Sequence, residues 1–179
     1  MQSTDRLLRW LERISILVAA IMLFATMMVA TVDVFMRYFF NAPLGWSYDL
    51  ISLYLMAGIF YFALSDTLHH HGHIAVDLLH AKMSRRTRHA VEVPGYLIIT
   101  VVFAAIAVLT LQRTLESYRG GDVISGRIDW PTWISMAFVA WGYTVLTLRC
   151  VHRLVGHALS ALHNRSVIDL PPIAGLEDV

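Results

Sequence analysis

The sequence is short of charge. Only 15% of its 179 residues are Asp, Glu, Lys or Arg, whereas a soluble globular domain carries about a quarter. Hydrophobic residues make up 57% of the chain, and the mean hydropathy is +0.59. The apolar residues fall into long blocks rather than being spread evenly. The composition therefore excludes an ordinary soluble domain and indicates an integral membrane protein.

Cysteine and net charge are nearly absent as well. The single cysteine, Cys150, excludes an internal disulfide. A net charge of +1 gives no basis for nucleic-acid binding. No clean small-x-small cleavage site precedes Asp33. We therefore interpret the first apolar block as an uncleaved membrane span rather than as a secretory signal.

Four apolar blocks qualify, or nearly qualify, as membrane spans, which need roughly 20 residues each. The sequence predicts an all-α integral membrane protein with one four-helix domain at residues 1–163, whose spans lie at about 14–36, 47–66, 93–113 and 132–152. The apolar pattern continues beyond the fourth span, so one helix from 132 to 163 would be about 48 Å long. Residues 164–179 show little pattern and are predicted to form a flexible tail.

Basic residues are distributed unevenly among the segments between spans. Placing both termini and the second connection in the cytoplasm puts ten Lys and Arg residues inside and four outside. The positive-inside rule therefore favours an N-in, C-in orientation. In the second connection, Ile74, Leu78, Leu79 and Met83 recur at helical spacing. This pattern predicts an amphipathic helix in the cytoplasmic interface between spans two and three.

The central parts of the four spans contain no Asp, Glu, Lys, Arg or His. A transport pathway usually shows ionisable residues within spans, or helices broken near the midplane by Gly and Pro. Gly58 and Gly142 lie in mid-span but are isolated, so we interpret them as close-packing points. We expect that this chain is not itself a permease, and no catalytic residue is predicted.

Nine histidines are present, and all lie near or beyond the ends of the spans. A bis-histidine haem bundle would need facing pairs within the membrane. The run from His69 to His73 could in principle bind a transition metal, but we interpret it as a polar interfacial turn. No cofactor and no metal site are predicted.

The connection between the first two spans, residues 33–49, is the most distinctive segment. Asp33 and Arg37 are four residues apart and share one face of a helix. They could form a local ion pair at the helix end, or either group could be directed at another subunit. After an Asn-Ala-Pro break, Ser47 is predicted to cap the next helix, with Asp49 in its first turn.

Taken in order, these features resemble the small membrane (Q-type) subunit of tripartite ATP-independent periplasmic (TRAP) transporters. The pattern begins with an Asp-Val-Phe-x-Arg-Tyr-like segment, which is followed by a turn containing Asn and Pro. A Trp and an acidic residue then begin span two, and a His…Asp segment follows that span. A Trp-Pro pair precedes span four. The matching residues are Asp33, Arg37, Asn41, Pro43, Trp46, Asp49, His73, Asp77, Trp130 and Pro131. The chain departs from the pattern at Asp49, where the family more often has Glu, and in its histidine-rich segment before His73.

The resemblance implies a non-catalytic scaffold subunit of a secondary, sodium-coupled uptake transporter for organic acids in the bacterial inner membrane. Its implied partners are a large multi-span membrane subunit, which carries the substrate and sodium sites, and a periplasmic solute-binding protein, with membrane lipids around both membrane subunits. The ten matching residues would serve structure or partner contact. Two other classes remain as alternatives: a self-contained homo-oligomeric channel or exporter, and a membrane-anchored haem or metal protein.

Overall fold

Long helices make up most of the computed structural model, which describes residues 2–69 and 85–163. The helices are α1 (Gln2–Phe40), α2 (Ser47–Leu50), a π-helical turn (Ile51–Leu55), α3 (Met56–His69), α4 (Arg85–Gly120) and α5 (Thr132–His163). The second membrane helix is continuous through α2, the π-helical turn and α3. Between α4 and α5, β1 (Val123–Ile124) pairs antiparallel with β2 (Trp130–Pro131), with Val123 opposite Pro131.

Within residues 2–69 and 85–163, four helical stretches are long and apolar enough to cross a membrane. They are Thr4–Phe40, Ser47–Leu68, Val91–Gly120 and Thr132–Ser160. The prediction of an all-α membrane protein with four such helices is thereby confirmed. The predicted amphipathic helix at residues 73–83 and the predicted tail at 164–179 lie outside the described residues.

The pattern of burial is the reverse of that in a soluble protein. Large apolar side chains on the outer faces of α1 and α4 are exposed, such as Phe24 at 65% and Ile98 at 64%. Many buried residues are small or polar, including Ala19, Ala140 and Ser65. Small residues let helix backbones approach closely when the surrounding solvent is itself apolar. The exposed apolar faces are therefore suited to lipid or to another membrane subunit.

The helices pack in the order α1, α3, α5 and α4. Helix α3 packs against both α1 and α5, while α4 packs along α5. A side chain at Gly142 of α5 would overlap the backbone carbonyl of Tyr61 in α3, and one at Gly58 would meet Met22 of α1. Both glycines therefore lie where two helices approach closely, as the sequence interpretation proposed.

The bundle has two ends, which we name by the segments found there. The hairpin end contains residues 41–46, which connect α1 to α2, and residues 121–131, which connect α4 to α5. The terminal end contains the beginning of α1 and the end of α5. Polar side chains gather at both ends, and between them residues 14–32, 50–65, 93–112 and 132–148 contain no Asp, Glu, Lys, Arg or His.

Candidate functional site: the hairpin end and a buried ion pair

Asp33 closes the turn that follows α1. Its Oδ1 accepts a hydrogen bond from the backbone N–H of Leu44 at 2.7 Å, and its Oδ2 accepts one from Arg37 Nη2 at 2.9 Å. Asn41 adopts a φ of 50°, in the left-handed region that Asn tolerates better than most residues. Asp33 is only 8% exposed. Its carboxylate therefore ties the end of α1 to the beginning of the next helix.

Arg37 differs from its partner because its side chain points outward. The side chain is 66% exposed although it is paired with Asp33. The next residue, Tyr38, is 83% exposed, and the Phe39 ring contacts those of both Phe35 and Tyr38. Of the two alternatives that the sequence left open, the local ion pair is present, and the guanidinium is still accessible to a second group.

The capping prediction for Ser47 is wrong. The residue at the N-cap position is Trp46, and no side chain caps the helix. Ser47 is already the first helical residue, and its Oγ donates a hydrogen bond back to the carbonyl of Leu44 at 2.8 Å. The hydroxyl therefore stabilises the turn, whose Leu44 N–H is bound by Asp33. The sequence analysis correctly selected Ser47 as a residue that stabilises this turn, but it predicted a helix cap where the structure has a hydrogen bond to the Leu44 carbonyl.

The two connections at the hairpin end contact each other. The Arg127 side chain lies directly over Gly45, where a Cβ would collide with it, and the Asp49 carboxylate lies beside Gly126. The glycines allow this approach because they have no side chains. Residues 33–49 and 120–131 thus form one continuous surface, although the sequence placed them in separate segments.

Trp130 and Pro131 join this surface through Tyr54 of the π-helical turn. Tyr54 Oη donates to the carbonyl of Pro131 at 2.7 Å, and its ring lies 5.4 Å from that of Trp130. A π-helical turn shifts the register of the side chains that follow it, and such turns are frequent at functional sites. Of the other predicted site residues, Asn41 and Pro43 are exposed in the turn. His73 and Asp77 lie outside the described residues.

A buried ion pair at the terminal end was not predicted. Arg149 of α5 donates from Nε to Glu12 Oε1 of α1 at 2.7 Å and from Nη2 to Glu12 Oε2. Its Nη1 also donates to Asp5 at 2.9 Å, and Ser65 Oγ of α3 donates to Glu12 at 2.8 Å. The Glu12 and Arg149 side chains are 2% and 3% exposed. One bidentate pair therefore joins three helices.

The helical spacing of α1 held a signal for this pair. Leu8, Glu12, Ser15 and Ala19 are all buried and are separated by four, three and four residues. They therefore share one face of the helix. Ser15 continues the link to α5 by accepting a hydrogen bond from Trp141 Nε1 at 3.1 Å. A glutamate within an inward-facing stripe at a span end requires a cationic partner.

Further buried polar residues on α5 lie on the same side as Arg149. Arg153 and His157 follow at intervals of four residues and are 6% and 0% exposed. Arg153 Nη1 donates to Tyr96 Oη of α4 at 3.3 Å, and the His157 imidazole stacks on the Tyr96 ring at 5.2 Å. The end of α5 therefore binds α1 through one arginine and α4 through the next. Within residues 2–69 and 85–163, no three His, Cys, Asp or Glu side chains are grouped to hold a metal ion.

The fold and these contacts define a class: a four-helix membrane protein whose helix centres lack ionisable groups and whose hairpin end forms one continuous polar and aromatic surface. The chain matches a family model over residues 26–159, and that family is described as "Tripartite ATP-independent periplasmic transporters, DctQ component". The chain belongs to this family, which is the small membrane subunit of TRAP transporters in the inner membrane. Searches of curated proteins and of solved structures found no match to it.

Proposed function

We propose that this chain is the non-catalytic scaffold subunit of a sodium-coupled TRAP uptake system for organic acids. The observation that carries the proposal is that the central parts of the four membrane spans contain no Asp, Glu, Lys, Arg or His. A route for a charged solute and a coupling ion would need polar groups at that depth. The substrate and sodium sites would then belong to the large membrane subunit.

The buried charges at the terminal end support the same proposal. Glu12 and Arg149 bind each other, and Ser65 and Asp5 add further hydrogen bonds. A transport site would need at least one of these groups to exchange its partner for solute or ion. The contacts instead link α1, α3 and α5, as expected of a rigid support around which another subunit moves.

The hairpin end is our proposed docking surface. With the N-in, C-in orientation that the ten-to-four distribution of basic residues favours, this end faces the periplasm. The surface presents an accessible guanidinium at Arg37 and exposed rings at Tyr38 and Tyr48. Aromatic and arginine side chains are the residues most enriched at protein interfaces. We propose that it contacts the periplasmic solute-binding protein, the large subunit or both.

Affinity purification and reconstitution test the scaffold role. A tag on this chain should co-purify a larger multi-span membrane subunit in mild detergent. Proteoliposomes that hold both membrane subunits and receive the binding protein should accumulate an organic acid when a sodium gradient is imposed. Full uptake by the large subunit and the binding protein without this chain would contradict the scaffold role. Full uptake without a sodium gradient would contradict the coupling ion alone.

A further inference from the structure

We propose that Arg6, Arg9 and Arg13 form a binding site for the headgroups of anionic phospholipids, and we call these residues the basic stripe. They follow one another at intervals of three and four residues in α1, so they share one face of the helix. All three are exposed. Arg9 is paired with Asp5 at 2.9 Å. Among the described residues, no carboxylate pairs with Arg6 or Arg13.

An apolar row runs beside the basic stripe on the same helix. Leu7, Trp10 and Leu17 are 58%, 59% and 60% exposed, and Ile14 lies between the last two. Tryptophan is enriched at the depth where the hydrocarbon meets the headgroups. The row continues without interruption into the outer apolar face of α1, at Ile21 and Phe24. Cationic and apolar contact surfaces therefore lie side by side.

The depth of the basic stripe follows from the two buried carboxylates of α1. Glu12 and Asp33 are 21 residues apart, which is about 31 Å along a helix. This distance matches the ~30 Å thickness of the hydrocarbon core. We therefore place the boundary of the hydrocarbon at the terminal end close to Glu12, where the ion pair with Arg149 provides the charge compensation that a carboxylate needs at that depth.

Measured from Glu12, Arg9 falls within the headgroup layer and Arg6 lies at its outer edge. Arg9 lies about 4.5 Å and Arg6 about 9 Å further out along the helix. The layer is roughly 5–8 Å thick on each side of the hydrocarbon. Arg13 lies one residue inside the boundary, and its long side chain can extend outward to the same layer. All three guanidinium groups can therefore reach lipid phosphates.

A phospholipid matches this arrangement because it joins a phosphate to acyl chains in the same geometry. Guanidinium groups bind phosphate through two parallel hydrogen bonds. An anionic lipid adds a net negative charge, which a zwitterionic lipid lacks, and each basic residue near such a surface contributes measurably to binding. We expect phosphatidylglycerol to be preferred over phosphatidylcholine with the same acyl chains.

The test is native mass spectrometry of the full-length chain in detergent with added phosphatidylglycerol or phosphatidylcholine. The wild type should bind phosphatidylglycerol more tightly. The variant Arg6→Gln/Arg13→Gln should bind it about fivefold more weakly for each arginine removed. The matched control Arg113→Gln/Arg119→Gln removes the same charge from exposed positions near the end of α4. It should bind as the wild type does, and circular dichroism should show unchanged helicity in all three proteins.

Three results would each overturn the proposal. The first is equal affinity of the wild type for the two lipids. The second is unchanged phosphatidylglycerol binding by Arg6→Gln/Arg13→Gln. The third is an equal loss in the control variant, which would indicate a response to net charge rather than to the basic stripe. None of these measurements involves transport, so a result that overturned the lipid-binding proposal would not affect the proposed scaffold role.

Discussion

Glu12 and Asp33 are buried carboxylates of α1 that hold the two ends of its membrane stretch in different ways. Glu12 accepts hydrogen bonds from Arg149 on α5 and from Ser65 on α3, so it joins separate helices. Asp33 accepts one from the Leu44 backbone and so fixes a local turn. A buried charge is tolerated only when its partners compensate the loss of hydration. Substitution at either residue should therefore affect structure before it affects any partner.

The substitution Glu12→Gln should lower the free energy of unfolding by about 3 kcal/mol, because it removes the buried counter-charge of the Arg149 guanidinium and leaves only the half-buried Asp5 carboxylate. The double variant Glu12→Leu/Arg149→Met should recover much of that loss, because neither charge then remains to be compensated. Reversible unfolding of the full-length chain in mixed micelles measures both effects.

The control for this pair is Glu116→Gln in α4. Glu116 and Arg113 are 3.5 Å apart, and their side chains are 68% and 77% exposed. Removing that charge should change stability by no more than a few tenths of a kcal/mol. Equal losses of stability for Glu12→Gln and Glu116→Gln would show that Glu12 and Arg149 do not act as a pair. The same conclusion would follow if Glu12→Leu/Arg149→Met lost as much stability as Glu12→Leu and Arg149→Met do in sum.

The substitution Arg37→Ala should reduce uptake, or the yield of complex with the large subunit, while the chain unfolds at an unchanged temperature. The reason is that its exposed side chain contributes little to the fold but is available to a partner. The control is Arg119→Ala at the exposed end of α4. Arg127 is a poorer control because it packs over Gly45. Equal, negligible effects of Arg37→Ala and Arg119→Ala on uptake and yield would make Arg37 a solvated end charge.

At the scale of elements, the contact between α3 and α5 depends on the absence of a side chain at Gly142. The substitution Gly142→Ala should destabilise the bundle by about 1–3 kcal/mol, because the added methyl group would collide with the Tyr61 carbonyl and force the helices apart. Thermal unfolding in detergent, together with the yield of folded protein, measures the loss.

Gly95 of α4 is the matched control because, apart from its chain neighbours and the local helix backbone, no atom would lie within 4 Å of a Cβ at this position. The substitution Gly95→Ala should be neutral or should stabilise the chain by up to about 1 kcal/mol, since alanine favours a helix more than glycine does. A Gly142→Ala variant as stable as Gly95→Ala would mean that α3 and α5 can separate slightly at no cost.

At the scale of the whole molecule, the N-in, C-in proposal predicts which end reacts with a membrane-impermeant maleimide. In a Cys150→Ser background, Tyr48→Cys at the hairpin end should be labelled in intact spheroplasts. Leu7→Cys at the terminal end should be labelled only after permeabilisation. Both positions are exposed, at 78% and 58%, so accessibility within the chain does not decide the result. The reverse pattern of labelling would invert the proposed orientation and move the docking surface to the cytoplasm.

Much of this architecture was predictable because hydropathy is a local property. A run of apolar residues indicates a spanning helix whatever its neighbours are, and the four helices were expected on that basis. The turn at Asn41 and Pro43 followed from the residues themselves. The bond made by Ser47 did not, because capping depends on where the helix begins. One residue of difference moved the cap to Trp46.

The sequence by itself determined the four apolar helices, the absence of ionisable groups from their centres and the motifs of the TRAP small subunit. Only the tertiary structure decided which charges meet. Glu12 and Arg149 are 137 residues apart and lie at the ends of different spans, so the sequence does not identify either residue as the partner of the other. Packing α1 and α5 against α3 and against each other brings the two side chains together and removes water from both. The same packing joins residues 33–49 and 120–131 into one surface, because such contacts depend on how the helices are arranged rather than on the composition of either segment.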